Sequence, residues 1–189
     1  MAPQPALKTD EIVALINELH QTIADPSPFD LARLDTAIRK LGNEDRAASQ
    51  CFRGVYYALH GDLANAARWF DMALSVHPVN PDIYMNYAIA LSRLEQHGQA
   101  VKMALEYVHK CGGAPDAISC LLRCAYNADD HEMLNEWLPR YEKLSGGPHE
   151  IASWIQEDAE DEAEIEYLRK ESRNGPVISL DKLCKDLGL

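Results

Sequence analysis

Long hydrophobic runs are missing from this 189-residue chain, and no stretch approaches the roughly 18 consecutive apolar residues that a membrane helix requires. No membrane span is expected. Positive charge is scarce: 18 Lys and Arg stand against 30 Asp and Glu, a formal net charge of −12. A surface of that sign repels the phosphate backbone that supplies most nucleic-acid affinity, so direct nucleic-acid binding is not expected. Cysteine occurs only five times, at 51, 111, 120, 124 and 184. The odd number and the lack of paired spacing fit reduced thiols better than a disulfide framework. Residues 1–8 contain no basic stretch followed by an apolar one, and the expectation is a cytoplasmic protein. What is present is an ordinary globular composition, 47% hydrophobic and 25% charged, on a length suited to one domain, or one domain and a tail.

Self-comparison of the chain reveals a period of 34 residues. Its best copy holds Gly54, Tyr57, Gly61, Ala66, Phe70, Ala73 and Pro78; 34 positions on stand Ala88, Leu91, Glu95, Ala100, Ala104, Tyr107 and Gly112. A further 34 give Leu122, Ala125, Asp129, Leu134, Leu138, Tyr141 and Gly146, a degenerate third copy. Spacings of three and four put one apolar stripe on each of two helices per copy, broken near Gly61 and at Pro78. Asp62 can cap the second helix, Pro78 ends it, and Asp82 stands where the next begins. Gly54 with Ala66, and Ala88 with Ala100, are positions where paired helices can approach closely, while Tyr57 and Phe70 fill wider gaps.

The set Gly54, Tyr57, Gly61, Ala66, Phe70, Ala73 and Pro78 resembles the tetratricopeptide repeat (TPR) signature over about 47–144. The chain departs from that signature at Gln50 and Arg53, where the family usually has an aromatic residue and a leucine; Tyr84 and Tyr87 restore aromatics in the second copy. The resemblance implies an all-α fold, a right-handed array of antiparallel helical hairpins, with repeats at 47–80, 81–114 and 115–146. Upstream, Ile12, Leu15, Leu19 and Ile23 form one stripe and Leu31, Leu34, Ile38 and Leu41 another, closed by Gly42. Segment 1–44 therefore reads as a hairpin capping the end of an array at 45–146. Residues 8–144 give eight helices.

Composition changes after Gly146-Gly147-Pro148, and residues 147–189 read as an acidic helix and tail. Residues 149–189 carry 11 acidic and 5 basic side chains, net −6, half of the whole charge. Ile151, Trp154, Ile155, Ile165 and Leu168 are apolar anchors on a long helix whose middle, 157–166, is mostly acidic. Asn174-Gly175-Pro176 breaks it; Val177-Ile178 suits an extended strand, and Ser179 can cap a last helix carrying Leu180, Leu183 and Leu187.

No local catalytic signature is present, and neither an enzyme nor a cofactor is expected. Gly112-Gly113 and Gly146-Gly147 follow helices and read as helix termination rather than phosphate binding. His131-Glu132 opens like a zinc-protease motif, but Asn135 stands where the second histidine ligand belongs. His109, Cys111, Cys120 and Cys124 have the residue types of a zinc site without its spacing, and buried cysteines pack as small hydrophobes. Catalysis by any one of these thiols would need a neighbouring base that sequence does not place.

In the TPR register the first helix of each repeat lines a concave groove. That implies Ala48, Cys51, Val55, Ala58 and Leu59, then Asp82, Met85, Ile89, Ser92 and Arg93, then Asp116, Ser119, Arg123, Tyr126 and Asn127. Carboxylate-clamp members of the family carry lysine and asparagine at set groove positions; only Asn86 matches, so that clamp is not expected. Val55, Leu59, Met85 and Ile89 would instead make an apolar floor with Arg93 and Arg123 beyond it, suited to an apolar client segment bearing acidic groups unless a neighbouring helix fills it.

The tail, from Asp161 through Tyr167 and Leu168 to Asn174-Gly175-Pro176 and Asp186-Leu187-Gly188-Leu189, resembles the C-terminal region of antitoxins that neutralise small RelE/ParE-type toxins. The resemblance implies that Ile165, Leu168, Val177, Ile178, Leu180, Leu183 and Leu187 contact a small basic protein while 157–166 complements its charge. Read without it, 157–166 is equally a solvated helix face. The usual DNA-binding domain of that family has no counterpart here, so operator binding is not implied. Two functions compete: an antitoxin-like scaffold acting through its tail, and a chaperone or adaptor, resembling the TPR-type chaperones of bacterial secretion systems, acting through its groove.

Overall fold

The structure, a computed structural model, describes residues 9–21, 26–42 and 45–174. Among the described residues it is all helical: α1 (Thr9–Gln21), α2 (Pro28–Leu41), α3 (Arg46–Leu59), α4 (Leu63–Val76), α5 (Pro81–Arg93), α6 (His97–Lys110), α7 (Pro115–Asn127), α8 (His131–Ser145) and α9 (Glu150–Asn174). None of these is long and apolar enough to cross a membrane. The chain divides into two compact units, Met1–Pro148 and His149–Leu189.

Most of the repeat helices start where a short polar side chain satisfies a free N–H group, α6 and α7 being the exceptions. Asp45 accepts from the Ala48 N–H at 2.9 Å, Asp62 from Asn65 at 3.0 Å, and Asp130 from Met133 at 3.0 Å. For α5 the cap is Asn80, which accepts from the Asp82 N–H; Asp82 itself lies inside the first turn, behind Pro81. α4 stops at Val76, two residues before Pro78.

The 34-residue period reappears in three dimensions. α4, α6 and α8 begin at 63, 97 and 131, and α5 and α7 begin at Pro81 and Pro115. Gly61, Glu95 and Asp129, also 34 apart, all have left-handed backbones, with φ of 74°, 59° and 55°. Each is followed by the same hydrogen bond back into the preceding helix: Asp62 N–H to Tyr57 O (2.9 Å), Gln96 to Leu91 (2.8 Å) and Asp130 to Ala125 (3.0 Å). This is the Schellman closure of a helix. The copy most degenerate in sequence thus keeps the geometry of the best one.

Each helix from α1 to α7 packs against the next, and α3 also packs on α5, and α5 on α7. Leu34, Ile38, Val55, Phe70, Ile83, Leu91, Leu121 and Leu122 supply much of the buried interior. Gly54 leaves room for the Phe70 ring: a Cβ at 54 would lie 2.8 Å from it. Phe70 in turn stacks on Tyr87 of α5, with ring centroids 4.5 Å apart and planes at 12°.

Arg53, a departure from the repeat signature, and Gly42, the stop of the second helix, each have a structural reason. Arg53 lies 3.8 Å from the Asp35 carboxylate on α2 and 5.1 Å over the Trp69 ring on α4, so it ties three helices where a leucine would tie two. Gly42 ends α2 in a right-handed conformation, not the left-handed one that usually selects glycine. Its small size serves Ser49, whose hydroxyl donates to Ile38 O at 3.0 Å and would sit 3.2 Å from a Cβ at 42. In the first two stripes Ile12, Leu15, Leu19, Leu31, Leu34, Ile38 and Leu41 are all buried, while Ile23 lies outside the described residues.

Candidate functional site

α3, α5 and α7 touch in succession and carry the groove residues of the three copies. The first copy offers little surface, since of its five groove residues only Ala48 is half-buried rather than buried. Val55 and Leu59 are 0% and 6% exposed, and Cys51 and Ala58 are buried with them. The apolar floor expected from Val55 and Leu59 is therefore corrected: both belong to the interior. α2 packs on α3, and Leu59 shares with Pro28, Leu31, Ala32, Tyr56 and His60 the walls of a cavity of about 540 Å³. Apolar residues on a helix face are buried by whichever element packs there, and here α2 reaches α3 beside Leu59.

The second and third copies remain accessible. Met85, Asn86, Ile89 and Arg93 on α5 are half-buried, as is Tyr126 on α7, and Arg123 is exposed. The Asn127 amide donates to Ser92 Oγ at 2.9 Å, joining α7 to α5 across this face. Asn86 donates to Asp82 O at 2.8 Å and hydrogen-bonds the Cys51 sulfur. Burial pushes the Cys51 thiol up to about 12, the Asp82 charge adds to the shift, and the Asn86 hydrogen bond works against it. What this face can do chemically is bind: it combines Met and Ile side chains with two guanidinium groups.

α9 is a second accessible surface. Every residue from 157 to 166 is exposed, and seven of the ten are Asp or Glu. Glu157/Asp161, Asp158/Glu162, Glu160/Glu164 and Glu162/Glu166 stand four apart, each a like-charge pair that weakens the helix slightly. The nearest cation in sequence, other than histidine, is Arg169, and Lys170 pairs with Glu166 at 2.7 Å. Ile165 and Tyr167 are 48% and 60% exposed beside this carboxylate field. Leu168 belongs to the same helix; Val177, Ile178, Leu180, Leu183 and Leu187 lie outside the described residues.

The residues assigned to the repeat scaffold sit inside it: Gly54, Ala66, Phe70, Ala73, Ala88 and Ala100 are buried, Tyr57 is half-buried, and Gly61 and Pro78 are exposed at the turns. Gly112, Gly113 and Gly146 have φ of 62°, 77° and 78°, and Gly146 closes α8 with a hydrogen bond to Glu142 O. Among the described residues no three His, Cys, Asp or Glu side chains converge to hold a metal ion. Two features escape sequence reasoning. Phe29, 76% exposed, lies off the apolar stripe of α2, and Tyr107 hydrogen-bonds Cys111 with its own hydroxyl pushed up to about 12, chiefly by burial. No protein-family model and no curated protein matches the chain.

Proposed function

We propose that this protein is a non-catalytic, TPR-like interaction scaffold whose acidic C-terminal helix binds a small basic protein and holds it inactive, in the manner of an antitoxin. The observation that carries the reading is the 157–166 segment, exposed at every residue, with seven carboxylates and with Ile165 and Tyr167 exposed among and beside them. Four like-charge pairs one helical turn apart cost the free helix stability, and a cationic partner relieves that repulsion on binding. Apolar side chains beside the charge supply the contact that pure charge attraction, screened over about 8 Å at physiological salt, does not.

Native co-purification with mass spectrometry tests it, comparing the full chain with the combined variant Glu160→Lys, Asp161→Lys, Glu164→Lys. A small basic protein recovered with the natural chain, inhibited by it, and lost from the charge-reversed chain supports the reading. Recovery that is indifferent to charge reversal refutes it. A second reading, a chaperone or adaptor, is favoured by the accessible Met85 and Ile89 flanked by Arg93 and Arg123. There a client with an apolar, acidic segment survives charge reversal in α9 and is lost from Met85→Glu and Ile89→Glu.

A further inference from the structure

Three thiols and a phenol gather where α6 gives way to α7. Tyr107, in the last turn of α6, hydrogen-bonds Cys111 and lies within electrostatic reach of Cys120. On α7, Cys120 and Cys124 stand four residues apart, a spacing that sets Cβ atoms on one helix face about 5–6 Å from each other. Their thiols hydrogen-bond one another. Access divides them: Cys124 is buried, whereas Cys120 keeps part of its surface. Arg123, the residue before Cys124, acts electrostatically on Cys120. Packing alone would be served by any small apolar pair at these positions; two thiols in contact, one of them open to solvent, add a chemistry.

We propose that Cys120 and Cys124 form a peroxide-reactive dithiol, with Cys120 as the attacking thiol and Cys124 as the resolving one. In the first step the Cys120 thiolate attacks one oxygen of hydrogen peroxide; the O–O bond breaks, the departing hydroxide takes a proton and leaves as water, and Cys120 becomes a sulfenic acid. In the second, the Cys124 sulfur attacks the Cys120 sulfur; the S–S bond forms, the S–O bond breaks, and the hydroxyl leaves as water with the Cys124 proton. Two thiols and one peroxide become one disulfide and two waters, the peroxide being the two-electron oxidant.

Access assigns the roles: Cys120 keeps part of its surface open to peroxide, and Cys124 is buried behind it. The hydrogen bond between the two thiols holds the Cys120 thiol below its ordinary range, with burial opposing and Arg123 acting with the hydrogen bond. Cys124 is pushed upward by the same hydrogen bond and by burial. A disulfide requires Cβ atoms about 3.5–4.5 Å apart, so α7 must tighten at this turn and lose regular geometry there. Cys51 provides an internal control: it is buried, and its burial likewise disfavours the thiolate.

The test uses the full chain, reduced and then treated with hydrogen peroxide, with remaining thiols alkylated before tryptic digestion and mass spectrometry. Cleavage after Arg123 separates the two thiols, so their disulfide joins peptide 111–123 to peptide 124–140. The expected result is that joined pair, with fragment ions placing the bridge at Cys120 and with Cys51 fully alkylated. The same link persists in Cys111→Ser and is lost in Cys120→Ser. In Cys124→Ser oxidation stops at a sulfenic acid on Cys120, captured by dimedone. A bridge between Cys111 and Cys120 inside peptide 111–123, a bridge between two chains, or Cys120 left alkylatable after treatment overturns the proposal. Far-UV circular dichroism before oxidation separates loss of the link from loss of the fold, and the natural chain's own peptide map decides without any variant.

Discussion

A hydrogen in place of a side chain at position 54 is what allows the Phe70 ring to pass α3 and stack on Tyr87 of α5. A methyl group there meets three ring carbons within 2.9 Å, and the ring is also held by its stacking on Tyr87. Gly54→Ala is therefore expected to destabilise the protein by about 1–3 kcal/mol, the usual cost of overpacking, read as a lower urea midpoint. The left-handed residues at the helix ends give the opposite expectation. Glu95 holds a backbone conformation that costs a side-chain-bearing residue roughly 1–2 kcal/mol, and its side chain is exposed. Glu95→Gly should gain up to about 1 kcal/mol, part of the relieved strain being offset by the greater freedom of glycine in the unfolded chain. Asp129→Gly should gain less, because Asp129 lies 3.1 Å from His131 and that contact is surrendered. Gly61 was legible from sequence as a helix end, whereas Glu95 and Asp129 were legible only by counting 34 residues onward from it.

At the scale of elements, the caps differ while the helices they start do not. Asp62 and Asp130 each cap through a carboxylate, but Gln96, at the same point of the second copy, makes no side-chain cap bond. Gln96→Asp is expected to raise stability by about 0.5–1 kcal/mol, measured by thermal or urea unfolding. The Asp62 cap also carries a pH signature. Hydrogen bonds from the Asn65 side chain and then its backbone N–H hold this carboxyl below the ordinary aspartate value. A lowered folded-state pKa stabilises the fold above the unfolded value of about 3.9 and loses that contribution as pH falls through the folded one. The melting-temperature gap between the natural chain and Asp62→Ala should accordingly be full at neutral pH and close on acidification through that window. Arg53 was legible in sequence only as a departure from the repeat signature; its partners Asp35 and Trp69 come from helices on either side, and no local pattern connects them.

Across the whole array, each inner helix is covered by neighbours before and after it, while α1 has its principal packing on α2 alone. Stability in such an array is a sum of nearest-neighbour contributions, so the inner helices open only with their neighbours. Native-state hydrogen exchange should show α3 to α6 as the slowest-exchanging block, with α1 amides exchanging at least about tenfold faster. Uniform protection from α1 to α8 would show instead that the helices open as one cooperative unit.

Helix number, helix ends and the 34-residue spacing of the array were determined by sequence alone, because they follow from contacts within a few residues: apolar stripes at three and four, carboxylates before a first turn, proline and glycine after a last one. Which apolar residues remain open to a partner was decided only by tertiary structure. Periodicity states which face of α3 or α5 is apolar, but Val55 and Leu59 are closed while Met85 and Ile89 stay accessible, a difference set by what packs over each helix. The same holds for the Phe70 ring over Gly54 and for Tyr107 of α6 beside Cys120 of α7: these pairings join residues of different helices, and proximity there belongs to the packed array, not to any segment of it.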